Sequence, residues 1–167
     1  TEVTGKPGFT ARATRHSYEE DFGTGNREEW HICENDPDCE WLGETSSDEM
    51  TGHYFAYGIY FDLVADNEEK KLIANVVKTI TDHIIDNNFH LTDVDGVPTT
   101  WANWEPDLLN NDDRWYYERG TNSLEILSFL KTAYHVTGDE KYNKVYDMLI
   151  AKHHYAMNCM QYKVEDN

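Results

Sequence analysis

The sequence predicts an all-α fold made of αα-hairpins that form part of an (α/α) toroid, preceded by an irregular N-terminal arm. Three observations lead there. Four segments carry helical periodicity, they alternate between apolar all round and apolar on one side, and a tight turn joins each all-round helix to its one-sided successor. A helix that is apolar all round is buried on both sides, whereas a one-sided helix lies on a surface. The order buried, surface, buried, surface therefore describes inner helices alternating with outer ones. In an antiparallel four-helix bundle, the plain alternative, every helix should be one-sided.

Residues 1–40 hold Gly, Pro, Asn, Asp and mixed charge without a sustained period, and they read as the irregular arm. Cys33 and Cys39 bracket the turn-forming stretch "ENDPD", a separation that can close a small disulfide loop or leave two thiols. A bridge would imply an oxidising compartment and hence a secreted or periplasmic chain. Cys159 has no evident partner, no CxxC pair exists, and the Cys and His spacings fit no zinc finger, so no metal is expected.

Residues 41–167 read as the helical domain. The first helix is expected from about Asp48 to Ala65, with Tyr54, Phe55, Tyr57, Ile59, Tyr60, Phe61 and Leu63 all round it. The second, from about Glu68 to Asn87, gathers Leu72, Ile73, Val76, Val77, Ile80, His83 and Ile84 into one stripe. The third, from about Asn122 to Val136, is again apolar nearly all round. The fourth, from about Glu140 to Met157, carries one stripe through Tyr142, Val145, Tyr146, Leu149, Ile150 and His153. The turns "ADNEE" and "TGDEK" place Asn67 and Asp139 to cap the outgoing helices. Trp41 and Trp115, like Glu44 and Glu118, stand at one common offset, which suggests a weak internal repeat.

Between the second and third helices, "NFHLTDVDGVPTTWANWEPDLLNNDDRWYYERG" is too long for a plain connector. Its "TDVDG" resembles part of a calcium loop, but Leu91 and Ala102 stand where ligands are needed. A turn closed by Asp93 and Asp95 is the reading preferred here.

The totals exclude several classes. A chain of 167 residues is one domain or a piece of one, and lacking an initiator Met and a signal peptide it reads as processed, trimmed or a fragment. A net charge of −18 opposes nucleic acid and anionic membranes as partners. No apolar run approaches the ~20 residues that span a bilayer. No GxSxG, P-loop or dinucleotide fingerprint is present, and no cofactor is expected.

The segments "GETSSDEMTGHYFAY", "DVDGVPTTWANW", "ERGTNSLEILSFLKTAYHVTGDEKY" and "HHYAMN" resemble uncharacterised, secreted bacterial proteins related to the six-hairpin glycosidases. The similarity covers roughly residues 40–160. It implies a toroid whose inner-helix ends face a carbohydrate-type cleft, with a saccharide or glycan as ligand and the remainder of a larger chain as a further partner. It carries no assigned reaction.

The residues that could work in such a cleft follow from spacing. Glu49 and His53 lie four apart, on one helical face, where a carboxylate can orient an imidazole. Ser46-x-x-Glu49 is equally a capping box, and His53 equally a core histidine. Asp48 points about 100° away from Glu49. The third helix opens with Glu118, Arg119 and Asn122, and Asn122-x-x-Glu125 has the spacing of another cap. If both inner helices begin at one end of a barrel, Asp48, Glu49 and His53 face Glu118, Arg119 and Asn122. Paired carboxyl groups there, one protonated and one ionised, are what glycosidic cleavage needs. Trp41, Trp101, Trp104 and Trp115 would serve as stacking platforms, or as plugs for the end of the helical barrel. The rival function is a non-catalytic module that binds glycan or protein.

Overall fold

The computed structural model describes residues 2–18 and 30–161, so residues 19–29 of the expected arm and the last residues 162–167 lie outside the described part. The all-α expectation is overturned. Among the described residues two antiparallel sheets accompany the helices, one of three strands and one of two, and the architecture is mixed α and β. With them goes the toroid reading of the fold.

The first sheet arises within the expected irregular arm. β1 (Ala13–His16), β2 (Trp30–Cys33) and β3 (Asp36–Leu42) pair in the order β1-β3-β2, with Ala13 opposite Leu42 and Trp30 also opposite Leu42. Cys33 and Cys39 are disulfide-bonded with their Cα atoms 5.3 Å apart, which ties the β2–β3 hairpin at its turn, and Cys159 is a free thiol. The second sheet lies inside the long connector, where β4 (His90–Thr92) pairs with β5 (Pro98–Asn103). Its turn is the one the two aspartates imply: Asp93 Oδ1 accepts from the Val94 amide and Asp95 Oδ1 from the Val97 amide at 2.8 Å, with Gly96 at φ +85°.

The four long helices stand where periodicity puts them. α1 spans Ser47–Leu63 and α2 spans Asn67–Asp86; after α3 (Pro106–Asn111) and a 3-10 turn at Asp113–Trp115, α4 spans Arg119–Thr137 and α5 Glu140–His153. A left-handed His154 at φ +61° ends α5 before the short α6 (Tyr155–Asn158). Asp66 rather than Asn67 caps α2, accepting from the amides of Glu68 and Glu69, while Asp139 caps α5 through the Lys141 amide.

Helix α4 is the centre, packed on α1, α2, α5 and α6. It buries Ile126, Phe129, Leu130 and Ala133 completely or nearly so, each large one worth about 1.5–3 kcal/mol against exposure. Tyr54 of α1 stacks on Phe129 at 4.2 Å between centroids, and its hydroxyl meets Thr81 Oγ1 of α2 at 2.7 Å. The burial of α1 departs from expectation. Only Met50 and Tyr54 are buried there, whereas Phe55 and Leu63 are 71% and 76% exposed; the one-sided α2 buries five residues. Among the described residues nothing packs on the outer face of α1. The suggested repeat does not extend to surroundings either, since Trp41 is buried in β3 and Trp115 half-buried in the 3-10 turn.

Candidate functional site

A cleft opens where α1 and α4 begin. Its polar end is a cavity of about 400 Å³ lined by Arg12, Ser46, Ser47, Asp48, Trp101, Trp115, Glu118, Thr121 and Asn122. Asp48 and Thr121 also line a larger, apolar groove of about 790 Å³ that runs on between the two helices. Along that groove Thr51, Phe55, Ile59 and Asp62 of α1, spaced three and four residues apart, face Leu124, Glu125, Ser128, Thr132 and His135 of α4. Tyr54 and Phe129 line it too, and the pair His135 Nε2 to Asp62 Oδ1, 2.7 Å, spans the two helices near its far end.

Of the residues singled out from sequence, the structure brings Asp48, Trp101, Trp115, Glu118 and Asn122 together around the polar cavity. Trp101 and Trp115 meet edge to face at 6.3 Å, with Trp101 57% exposed. The β4–β5 hairpin supplies Trp101, and Asn122 holds that hairpin to α4 by donating Nδ2 to the Asn103 carbonyl at 2.9 Å. Asn122 lies inside α4 rather than capping it, because the helix begins at Arg119.

The remaining candidates are placed otherwise. Glu49 reaches back over the start of α1: the Ser46 amide donates to its Oε2 at 2.7 Å, the Ser46 hydroxyl donates to the same oxygen, and Arg12 Nε stands 3.5 Å from Oε1. Burial pushes its carboxyl up, but the Ser46 hydrogen bonds and the Arg12 charge outweigh that and hold it below the ordinary value. His53 stacks beside Tyr57 at 5.8 Å, away from both cavities, and burial lowers its pKa against the pull of Glu49. Arg119 gives its guanidinium to the Leu109 and Asn110 carbonyls at the end of α3. Trp41 and Trp104 are 2% and 0% exposed and cannot stack on a ligand in this conformation.

One residue that spacing gave only as a cap is Glu125. It is 7% exposed, sits in the groove wall next to the cavity junction, and accepts the Trp104 Nε1 hydrogen on Oε2 at 3.0 Å. Burial raises its pKa and the nearby Asp48 charge raises it further, against hydrogen bonding from Trp104, Thr51 and Ser47. The legible signal was an acid at a core position of an otherwise apolar helix, "NSLEIL".

Among the described residues no group of three or more His, Cys, Asp or Glu is placed to hold a metal ion, and no helix is long and apolar enough to cross a membrane. No family model matches the chain, and no curated protein or solved structure matches it.

Proposed function

We propose that this chain is a carbohydrate-active protein whose α1–α4 cleft binds a saccharide and, through its carboxyl groups, cleaves a glycosidic bond. The observation that supports it most is the Trp101–Trp115 pair on the wall of a cavity that also presents Asp48, Glu118 and Arg12. A sugar ring offers an apolar C–H face to an aromatic ring and a girdle of hydroxyls to carboxylates and guanidinium. A concave site with an apolar wall and a few convergent polar groups suits both demands. The Cys33–Cys39 disulfide is compatible with an extracytoplasmic location.

The test is binding of neutral and acidic oligosaccharides of different linkage, read by tryptophan fluorescence. Trp101→Ala should weaken binding about tenfold, a loss of ~1.4 kcal/mol, without changing stability, because the side chain is mostly outside the core. Failure of every oligosaccharide to bind sinks the reading.

A second reading, a non-catalytic module for glycan or protein, is favoured by the apolar groove beside the cavity, with its open Phe55, Ile59 and Leu124. Binding without turnover decides for it.

A further inference from the structure

Resting on the saccharide reading above, we propose that Glu125 is the proton donor of the site and that Asp48 is its ionised partner. Neither Glu49 nor Glu118, the pair that spacing favours, has the required setting as well as Glu125. Glu49 is committed to Ser46 and Arg12 at the helix start. Glu118 lines the polar cavity at the N-cap of α4 and is not part of the apolar groove wall.

A general acid at neutral pH must be kept protonated yet reach the leaving oxygen, which calls for a carboxyl in apolar surroundings beside a second, charged one. Glu125 comes nearest to this setting: it is almost wholly buried beside Asp48, and burial raises its pKa although Trp104, Thr51 and Ser47 hydrogen-bond to it. Its neighbours in the wall are Tyr54, Leu124 and Phe129, and its small exposed surface opens onto the groove beside Asp48. The Trp104 indole occupies Oε2 as a donor, so the carboxylic proton belongs on Oε1. Asp48, by contrast, is exposed in the first turn of α1 and lines both cavities. A glycosidic bond lying across the junction of the cavities would have Asp48 and Glu125 against it and the Trp101–Trp115 wall beside one of its sugars.

The step balances without a further reagent. The Oε1 proton of Glu125 passes to the glycosidic oxygen as the C1–O bond breaks, and the bond's electron pair leaves with that oxygen. The Asp48 carboxylate stabilises the positive charge developing at C1. Water then adds its hydroxyl to C1 and returns a proton to Glu125.

The groups packed around Glu125 that bear on its titration are Asp48, Ser47 and Thr51 from α1 and Trp104 from the segment after β5. Trp104 can still donate to the amide oxygen of Glu125→Gln, which makes that variant nearly isosteric. Glu125→Asp keeps the acid but shortens its reach.

The experiment compares the parent, Glu125→Gln and Glu125→Asp on an oligosaccharide that binds and on 4-nitrophenyl and 2,4-dinitrophenyl glycosides of the same sugar. An infrared difference spectrum of parent minus Glu125→Gln is recorded at neutral pH. The expected result is a 10²–10⁴-fold loss in Glu125→Gln for the oligosaccharide, a much smaller loss for the dinitrophenyl glycoside, whose leaving group needs no proton, and partial recovery in Glu125→Asp. The difference spectrum should carry the carbonyl stretch of a protonated carboxyl. Equal losses on all three probes, or the band of an ionised carboxylate, overturn the assignment. Oligosaccharide binding with no turnover of any probe by the parent overturns the donor role and leaves the saccharide cleft standing. Absence of all binding overturns the cleft itself.

Discussion

Trp104 Nε1 donates to Glu125 Oε2 over 3.0 Å, with the indole wholly buried and the carboxyl nearly so. This bond fixes the rotamer of the one acid in the α4 core stripe and joins the β4–β5 hairpin segment to the central helix. Tyr155 secures the other side by donating its hydroxyl to the Trp104 carbonyl at 2.6 Å. Removing the indole donor in Trp104→Phe leaves a buried carboxyl oxygen without that partner. The loss should be about 1–3 kcal/mol in urea unfolding at neutral pH.

Glu125 also sets a pH dependence of stability. Its folded pKa lies above the unfolded one, so the folded state keeps a proton that the unfolded chain releases. The stability this adds is complete below the ordinary carboxyl value and is lost as pH rises from there through the raised value. Urea midpoints measured across that window should fall with pH in the parent, and the Glu125→Gln profile should be flatter.

Glu49 acts in the opposite sense. Its folded pKa is depressed, so its contribution is present above the unfolded value and disappears as pH falls through the folded one. Glu49→Ala should cost about 0.5–2 kcal/mol at neutral pH as a lost cap, and progressively less in acid. A cost that persisted undiminished at low pH would show that the carboxylate is not what holds the start of α1.

Gly120 lies where α4 begins against the chain that follows α6. A Cβ there would meet the Gln161 carbonyl oxygen at 2.9 Å and that of Asn158 at 3.1 Å, both of them backbone atoms. Gly120→Ala should therefore destabilise by about 1–3 kcal/mol, despite the better helix propensity of alanine. Thermal unfolding at fixed pH checks it.

The two faces of α1 should respond unequally to truncation. Met50→Ala empties a fully buried position and should cost about 2–5 kcal/mol. Phe55→Ser changes a side chain that is 71% exposed and should stay within ~0.5 kcal/mol of the parent. Comparable losses at both positions would mean that the outer face of α1 is covered in solution.

The amino-acid sequence by itself determined what depends on neighbours a few residues away. The four long helices, the Asp139 cap, the Asp93–Asp95 turn and the spacing that lets Cys33 reach Cys39 are all local, governed by backbone hydrogen bonds and side chains within one or two turns. Asp48, Trp115, Glu118 and Asn122 could be named as cleft residues because they stand at or near helix starts that such signals mark, and Trp101 because it belongs to the aromatic-rich segment that precedes Glu118. Only the tertiary structure decided the rest. β1 pairs with β3 across a long intervening segment, and neither strand has a period strong enough to reveal it, so the arm read as irregular. The apolar surround of α1 spoke for burial on both sides, yet burial is fixed by what packs there, and α4 covers one side only. Trp104 and Trp101, three residues apart on one short segment, look alike in sequence; the fold buries the first against α4 and leaves the second over the cleft. Glu125 carries its raised pKa for the same reason, since desolvation and the charge of Asp48 come from elements distant along the chain.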